Sequence, residues 1–176
     1  MSGKNRFLKG DPNTVIAPVH GYHEVEAGDF MVIDGTSGML GVGTTADSYA
    51  VPFKYLKMAT ASAANSHHQI WTHFVGVAME DSPSGVTENI TIATSGVVRY
   101  PLHSSQAGTG VTIGAKISSV SNTIAAGASN QFVAIGTAGI ITSTAYLGYV
   151  TKSESGASFV DFQLRTAFGP AGSVPQ

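Results

Sequence analysis

Histidines, serines and acids are the side chains in this chain whose types and spacing could carry chemistry. His20 and His23 stand as an H-x-x-H pair, and His67, His68 and His73 lie close together. A zinc site needs three or four converging ligands, with carboxylates or thiolates completing the set. Here no H-E-x-x-H occurs and no carboxylate stands at a ligand spacing beside either group. On a strand, His68 and His73 would point to opposite faces, because their separation is odd. Gly21 and Pro18 disfavour the helix that would put His20 and His23 on one face. These histidines read as surface or interface residues, with no metal and no cofactor expected.

Hydrolytic chemistry fares no better. A serine nucleophile in a G-x-S-x-G elbow is missing. Glu80, Asp81 and Glu88 sit at a turn and on a strand flank, where solvation accounts for them, rather than as a cleft of paired acids. Gly108-Thr109-Gly110 lacks the strand-then-helix setting and the Lys-Ser/Thr of a phosphate loop. Asn89-Ile90-Thr91 fits a glycosylation acceptor, a pattern common by chance. With zero cysteines, disulfides, thiolate metal sites and cysteine nucleophiles are excluded together. The expectation is a protein that is not an enzyme.

The elements that would position any site are strands. Residues 74–102 organise the chain: a strand Phe74-Val75-Gly76-Val77-Ala78, a turn through Ser82-Pro83-Ser84-Gly85, and a β-rich run around Ile90 and Ile92. Gly96 interrupts it, and Val97-Val98-Arg99-Tyr100 resumes extended chain up to Pro101. Val, Ile and Thr suit a pleated, half-buried surface, and Gly and Pro mark strand ends. The same phrase returns as Tyr146-Leu147-Gly148-Tyr149-Val150, the turn Ser153-Glu154-Ser155-Gly156, and a strand in which Val160, Phe162 and Leu164 alternate with polar neighbours. That alternation puts one face in a core and one in water. Two related hairpins suggest two related halves of one β domain.

Composition narrows the partners. The chain has 176 residues, enough for one domain with a real core, yet only 11% are charged, while 43% are hydrophobic. That hydrophobic content, with its regular β-branched runs, argues against disorder. Low charge on a β protein points to a surface partly covered by other subunits. A net charge of −2 removes the electrostatic footprint of a nucleic-acid binder. The N-terminus has no apolar core and reads as no signal peptide, and no run approaches the roughly 18 apolar residues of a membrane span. A soluble chain with no membrane partner is expected.

Three regions follow. Residues 1–13 read as a flexible N-terminal arm and 169–176 as a C-terminal tail. Residues 14–168 read as a single β domain with an insertion at about 44–73. Pro18 makes 14–19 an edge strand, and Phe30-Met31-Val32-Ile33 ends at the turn signal Asp34-Gly35, with residues 39–42 as its partner. Within the insertion, Pro52 could open a short helix over about 53–64, and the aromatics Tyr49, Phe53, Tyr55 and Trp71 read equally as core packing and as candidates for a subunit interface, where aromatics concentrate. Residues 111–117 and 132–138 add strands. The fold class is mainly β: a small antiparallel β-barrel or β-sandwich with an internal hairpin repeat and at most one short helix.

Residues 27–33, the strand 74–78 with Gly85, the run 90–97, and the closing Leu147-Gly148-Tyr149-Val150, Gly156 and 160–164 resemble the capsid cement, or head decoration, proteins of tailed bacteriophages. The likeness spans about Val25 to Arg165 and is interrupted by residues 44–73, where this chain departs from the pattern. The resemblance implies a virion protein on the outer capsid surface, made in the host cytoplasm. It would form a homo-oligomer, a trimer, that binds the major capsid protein and bridges neighbouring subunits, with no catalytic residues inherited. The arm, with Lys4, Arg6, Phe7, Leu8 and Lys9, is then the first candidate for the capsid contact. A tail- or fibre-associated β module binding host carbohydrate is the alternative, with Trp71, Tyr49 and Tyr55 as its patch.

Overall fold

The structure is a computed structural model that describes residues 7–9, 12–34, 49–55, 73–104, 106–108, 110–121, 128–136 and 146–166. Eleven strands appear in it: β1 (Phe7–Lys9), β2 (Thr14–Val19), β3 (Phe30–Asp34), β4 (Tyr49–Pro52), β5 (Phe74–Ala78), β6 (Glu88–Ala93), β7 (Val97–Pro101), β8 (Lys116–Ser121), β9 (Ala128–Ile135), β10 (Gly148–Val150) and β11 (Phe159–Leu164). Five form one sheet in the order β2-β6-β5-β3-β4, and six form the other in the order β1-β7-β11-β10-β8-β9. All their pairings are antiparallel. The two sheets pack as a β-sandwich, and neither closes into a barrel ladder.

Without β1, the second order is the first one repeated. β7, β11, β10, β8 and β9 stand where β2, β6, β5, β3 and β4 stand. The repeat reaches individual hydrogen bonds. Val25 exchanges backbone bonds with Ser82 as Val111 does with Glu154, and Gly28 N–H donates to Ala78 O as Gly114 N–H does to Val150 O. Even the loop caps correspond: Ala27 N–H donates to Asp81 Oδ1 at 2.8 Å, and Ile113 N–H to Ser153 Oγ at 2.9 Å. Both sheets also curl alike, bringing their outer strands β2 and β4, and β7 and β9, towards each other. In the second sheet an isolated bridge between Leu102 and Val133 joins those edges.

Curling gives the first sheet two buried faces. Ala17, Val19, Met31, Val75, Ala78, Ile90 and Ile92 pack together on its concave side. Phe30, Phe53, Phe74 and Val77 instead join a core with Tyr100, Ile117, Leu147, Val160 and Phe162 of the second unit. This explains why β5 is buried along its whole length. A bulge at Val75, between the Gly76 and Phe74 pairings with β3, lets Phe74 and Val77 share a face despite their odd separation. Phe30 stacks on Tyr100 at 4.4 Å and meets Phe53 and Phe74 at 5.6 and 6.1 Å. Each such ring contributes about 1.5–3 kcal/mol through burial. The Tyr100 hydroxyl donates to Gly28 O across the unit boundary.

Several boundaries differ from expectation. β4 lies inside the expected insertion, yet it is the counterpart of β9 and an integral strand of the first unit. It pairs with β3; residues 39–42, expected there, lie outside the described residues. Only a 3-10 turn, Phe53–Tyr55, occupies the described part of the expected helix. Residues 111–115 form a bridge and a turn, and the strand begins at Lys116.

Candidate functional site

Of the residues nominated for a capsid contact, Lys4 and Arg6 lie outside the described residues. Phe7, Leu8 and Lys9, expected in a loose arm, form β1, with Phe7 opposite Val98 and Lys9 opposite Val97. β1 thus extends the second sheet, while β2, which follows it, edges the first. Of the interface aromatics, Trp71 lies outside the described residues. Phe53 is a core residue with no exposed surface, because the 3-10 turn after β4 rotates it between Phe30 and Phe74. It cannot meet a partner without opening the core. Tyr49 and Tyr55 are half-buried.

Those two tyrosines meet the H-x-x-H pair, which the sequence kept separate from them. His20 and His23 are the ends of a tight turn in which His23 N–H donates to His20 O at 2.9 Å. The His20 ring lies 4.5 Å from Tyr22 and 5.1 Å, edge-on, from Tyr49; the His23 ring lies 4.7 Å from Tyr55. Tyr22 N–H donates to His20 Nδ1 at 3.2 Å, so that nitrogen is an acceptor. Tyr55 Oη accepts from Glu24 N–H at 3.3 Å. Among the described residues no three potential metal ligands come together. The cluster is built for ring contact.

Electrostatics around it are those of a partly buried shelf. His23 is buried, and neither ring nitrogen has a hydrogen-bond partner among the described residues. Burial, and secondarily the charge of His20, holds its pKa below 6.5. Asp29 is buried, accepts from Glu26 N–H at 3.0 Å and meets Lys54 Nζ at 3.2 Å. Burial raises its pKa, and the Glu26 N–H and Lys54 act against that rise.

Contact-prone side chains that the sequence reading missed stand exposed on both units. Tyr22 and Ile16 are 78% and 74% exposed on the first; Ile113 and Phe159 are 62% and 54% exposed on the second. Gly21, next to Tyr22, lies against residues 85–87, because Gly85 N–H donates to Gly21 O and Gly21 N–H to Thr87 Oγ1. Ile16 and Phe159 carry a legible signal. Each has the wrong parity for its strand, since Val15, Ala17 and Val19, and Val160, Phe162 and Leu164, point inwards.

No known protein family and no curated protein matches the chain. Among solved structures, it is similar to the N base of head fiber gp8.5 in bacteriophage phi29, with a TM-score of 0.45 and 10% identity, over 87% of this chain and 95% of that one.

Proposed function

We propose that this protein is a structural component of a phage virion that binds the outer surface of the assembled head and stabilises it by bridging neighbouring major capsid subunits. The observation that carries this reading is the set of large apolar side chains standing in solvent on both units, Ile16, Tyr22, Ile113 and Phe159, on a chain with 11% charged residues. Exposed apolar and aromatic side chains suit contact with a protein partner. The sequence resemblance to capsid cement proteins points the same way. A protein that binds the closed shell better than separate subunits stabilises the shell by mass action, and a trimer adds avidity. The test mixes purified protein with undecorated shells, followed by sedimentation and electron microscopy. Regular outer density and shells that survive more heat are expected; a folded protein that leaves several expanded shells bare overturns the reading.

Carbohydrate binding by a tail- or fibre-associated module is the second reading, favoured by the exposed Tyr22 ring beside His20 and Tyr49. A glycan array decides it: specific binding lost in Tyr22→Ala supports it, and a blank array removes it.

A further inference from the structure

The duplication gives the H-x-x-H turn a counterpart in the second unit. Pro18 of β2 and Pro101 of β7 hold equivalent places in their sheets, and each strand runs into a tight turn two residues later. In the first unit His23 N–H donates to His20 O at 2.9 Å; in the second Gln106 N–H donates to His103 O at 2.8 Å. Gln106 therefore stands where His23 stands.

The two turns are fastened differently. Gln106 closes onto the end of β9: its Nε2 donates to Ile135 O at 3.0 Å, and its Oε1 accepts from Ile135 N–H at 2.7 Å. The equivalent of Ile135 is Pro52, since Ile117 pairs with Ile135 as Met31 pairs with Pro52. Proline has no N–H to offer. His23 is buried instead against the Tyr55 ring, 4.7 Å away. No acceptor or donor among the described residues, the equally unpartnered Ser82 Oγ included, reaches either of its nitrogens.

The charged groups around His23 are engaged elsewhere or oppose a proton there. Asp29 is taken by Lys54 and by Glu26 N–H. Asp81 and Glu80 accept from Ala27 N–H and Thr91 N–H. Tyr22 and Glu24, on the turn itself, are exposed. Lys54 Nζ lies 5.5 Å from the Tyr55 ring, and His20, beside Tyr49, repels a second cation on the turn. A proton on His23 would thus be a buried charge with no partner, a state the ring escapes only by moving into water.

We infer that His23 is an acid-operated catch: neutral, it seats the 20–24 turn on the 3-10 turn Phe53–Tyr55, and protonated, it swings out and releases that turn. Release uncovers the Tyr55 ring and parts Tyr55 Oη from Glu24 N–H. Gln106, which carries no titrating group, keeps the counterpart turn shut over the same pH range. The pKa of His23, held below 6.5 by burial and secondarily by His20, has the sign this requires.

The test is amide exchange in isotope-labelled full-length protein from about pH 8 to about pH 5, with each rate divided by its intrinsic chemical rate. The His23 and Glu24 amides should lose protection below pH 6.5, by up to about ten-fold per pH unit, the limit for one proton. The midpoint of that loss should follow the titration of the His23 ring signals. The Gln106 amide and those of β7 and β11 should keep their protection. His23→Gln, neutral throughout, should flatten the response, and His23→Phe stands in if that variant fails to fold. Protection that is absent at the start or unchanged with pH overturns the switch. So does the same loss in the variant, a midpoint that follows the His20 ring, or a uniform loss over both units.

Discussion

Gly76 and Gly148 occupy the same place in the two units, and a methyl group at either should be costly for a reason visible in the structure. A Cβ built on Gly148 falls 1.9 Å from Gln163 O and 2.8 Å from Phe162 Cδ2; on Gly76 it falls 1.9 Å from Ala93 O and 2.8 Å from Ala93 C. Real Cβ atoms keep at least 3.0 Å, so the strands must part by about 1.1 Å (3.0 − 1.9), and the obstacle is paired backbone that cannot swing aside. Parting the strands weakens one or two ladder bonds at about 1 kcal/mol each, and overpacking adds about 1–3 kcal/mol. Gly148→Ala should therefore cost about 2–5 kcal/mol. Gly76 also holds φ +154, which favours glycine and adds about 1–2 kcal/mol to Gly76→Ala. Gly85 and Gly156 are the controls: both have positive φ, but nothing lies within 4 Å of an added Cβ, so Ala there carries the backbone strain alone, about 1–2 kcal/mol. Equilibrium urea unfolding reads all four. Gly148→Ala no worse than Gly156→Ala would refute the steric argument.

Three further outcomes are expected. Tyr100→Phe leaves Gly28 O without the donor that crosses the unit boundary and should cost about 1–2 kcal/mol with the fold kept; an unchanged urea midpoint would contradict this. For His23, the folded pKa is depressed below 6.5, so the unfolded chain takes up the proton first. Its stabilising contribution is complete above pH 6.5 and is lost as pH falls from there towards the folded pKa. His23→Phe should flatten that loss in a melting-temperature series, and an identical slope in both proteins would count against it. The Arg99–Asp161 pair is two-pronged but Arg99 is 47% exposed, so a double-mutant cycle should return about 0.5–1 kcal/mol at low salt, shrinking as salt screens it. A larger, salt-independent coupling would mean the pair is less solvated than its exposure says.

The hairpin repeat was legible because its constraints fall on side chains. Gly76 and Gly148 are fixed by the approach of a neighbouring strand, and the alternation of Val160, Phe162 and Leu164 by a core. The rest of the duplication was not legible, because it is carried by backbone. Val25-Glu26-Ala27-Gly28-Asp29-Phe30 and Val111-Thr112-Ile113-Gly114-Ala115-Lys116 share only Val and Gly, yet they make the same bonds. Phe30 and Lys116 had to diverge, since one is buried between units and the other faces outwards. Pro18 did mark an edge, and β2 is one. Phe53 misled as an interface residue because composition cannot tell an aromatic turned inwards by a 3-10 turn from one left outside. The tyrosine and histidine cluster joins residues about thirty positions apart through the curl of a sheet, and no local spacing encodes that.

The asymmetry between the units also gives the unusual composition an internal use. A curled sheet lying alone needs one apolar face, its concave one. The first sheet needs two, because its convex face carries Phe30, Phe74 and Val77 into the joint core, and part of the 43% hydrophobic content serves that second face. Were the second sheet to repeat the pattern, its convex face would be apolar as well, and units could add end to end without limit. Lys116, Tyr149 and Gln163 break that series, as polar caps do at the end of a repeat array.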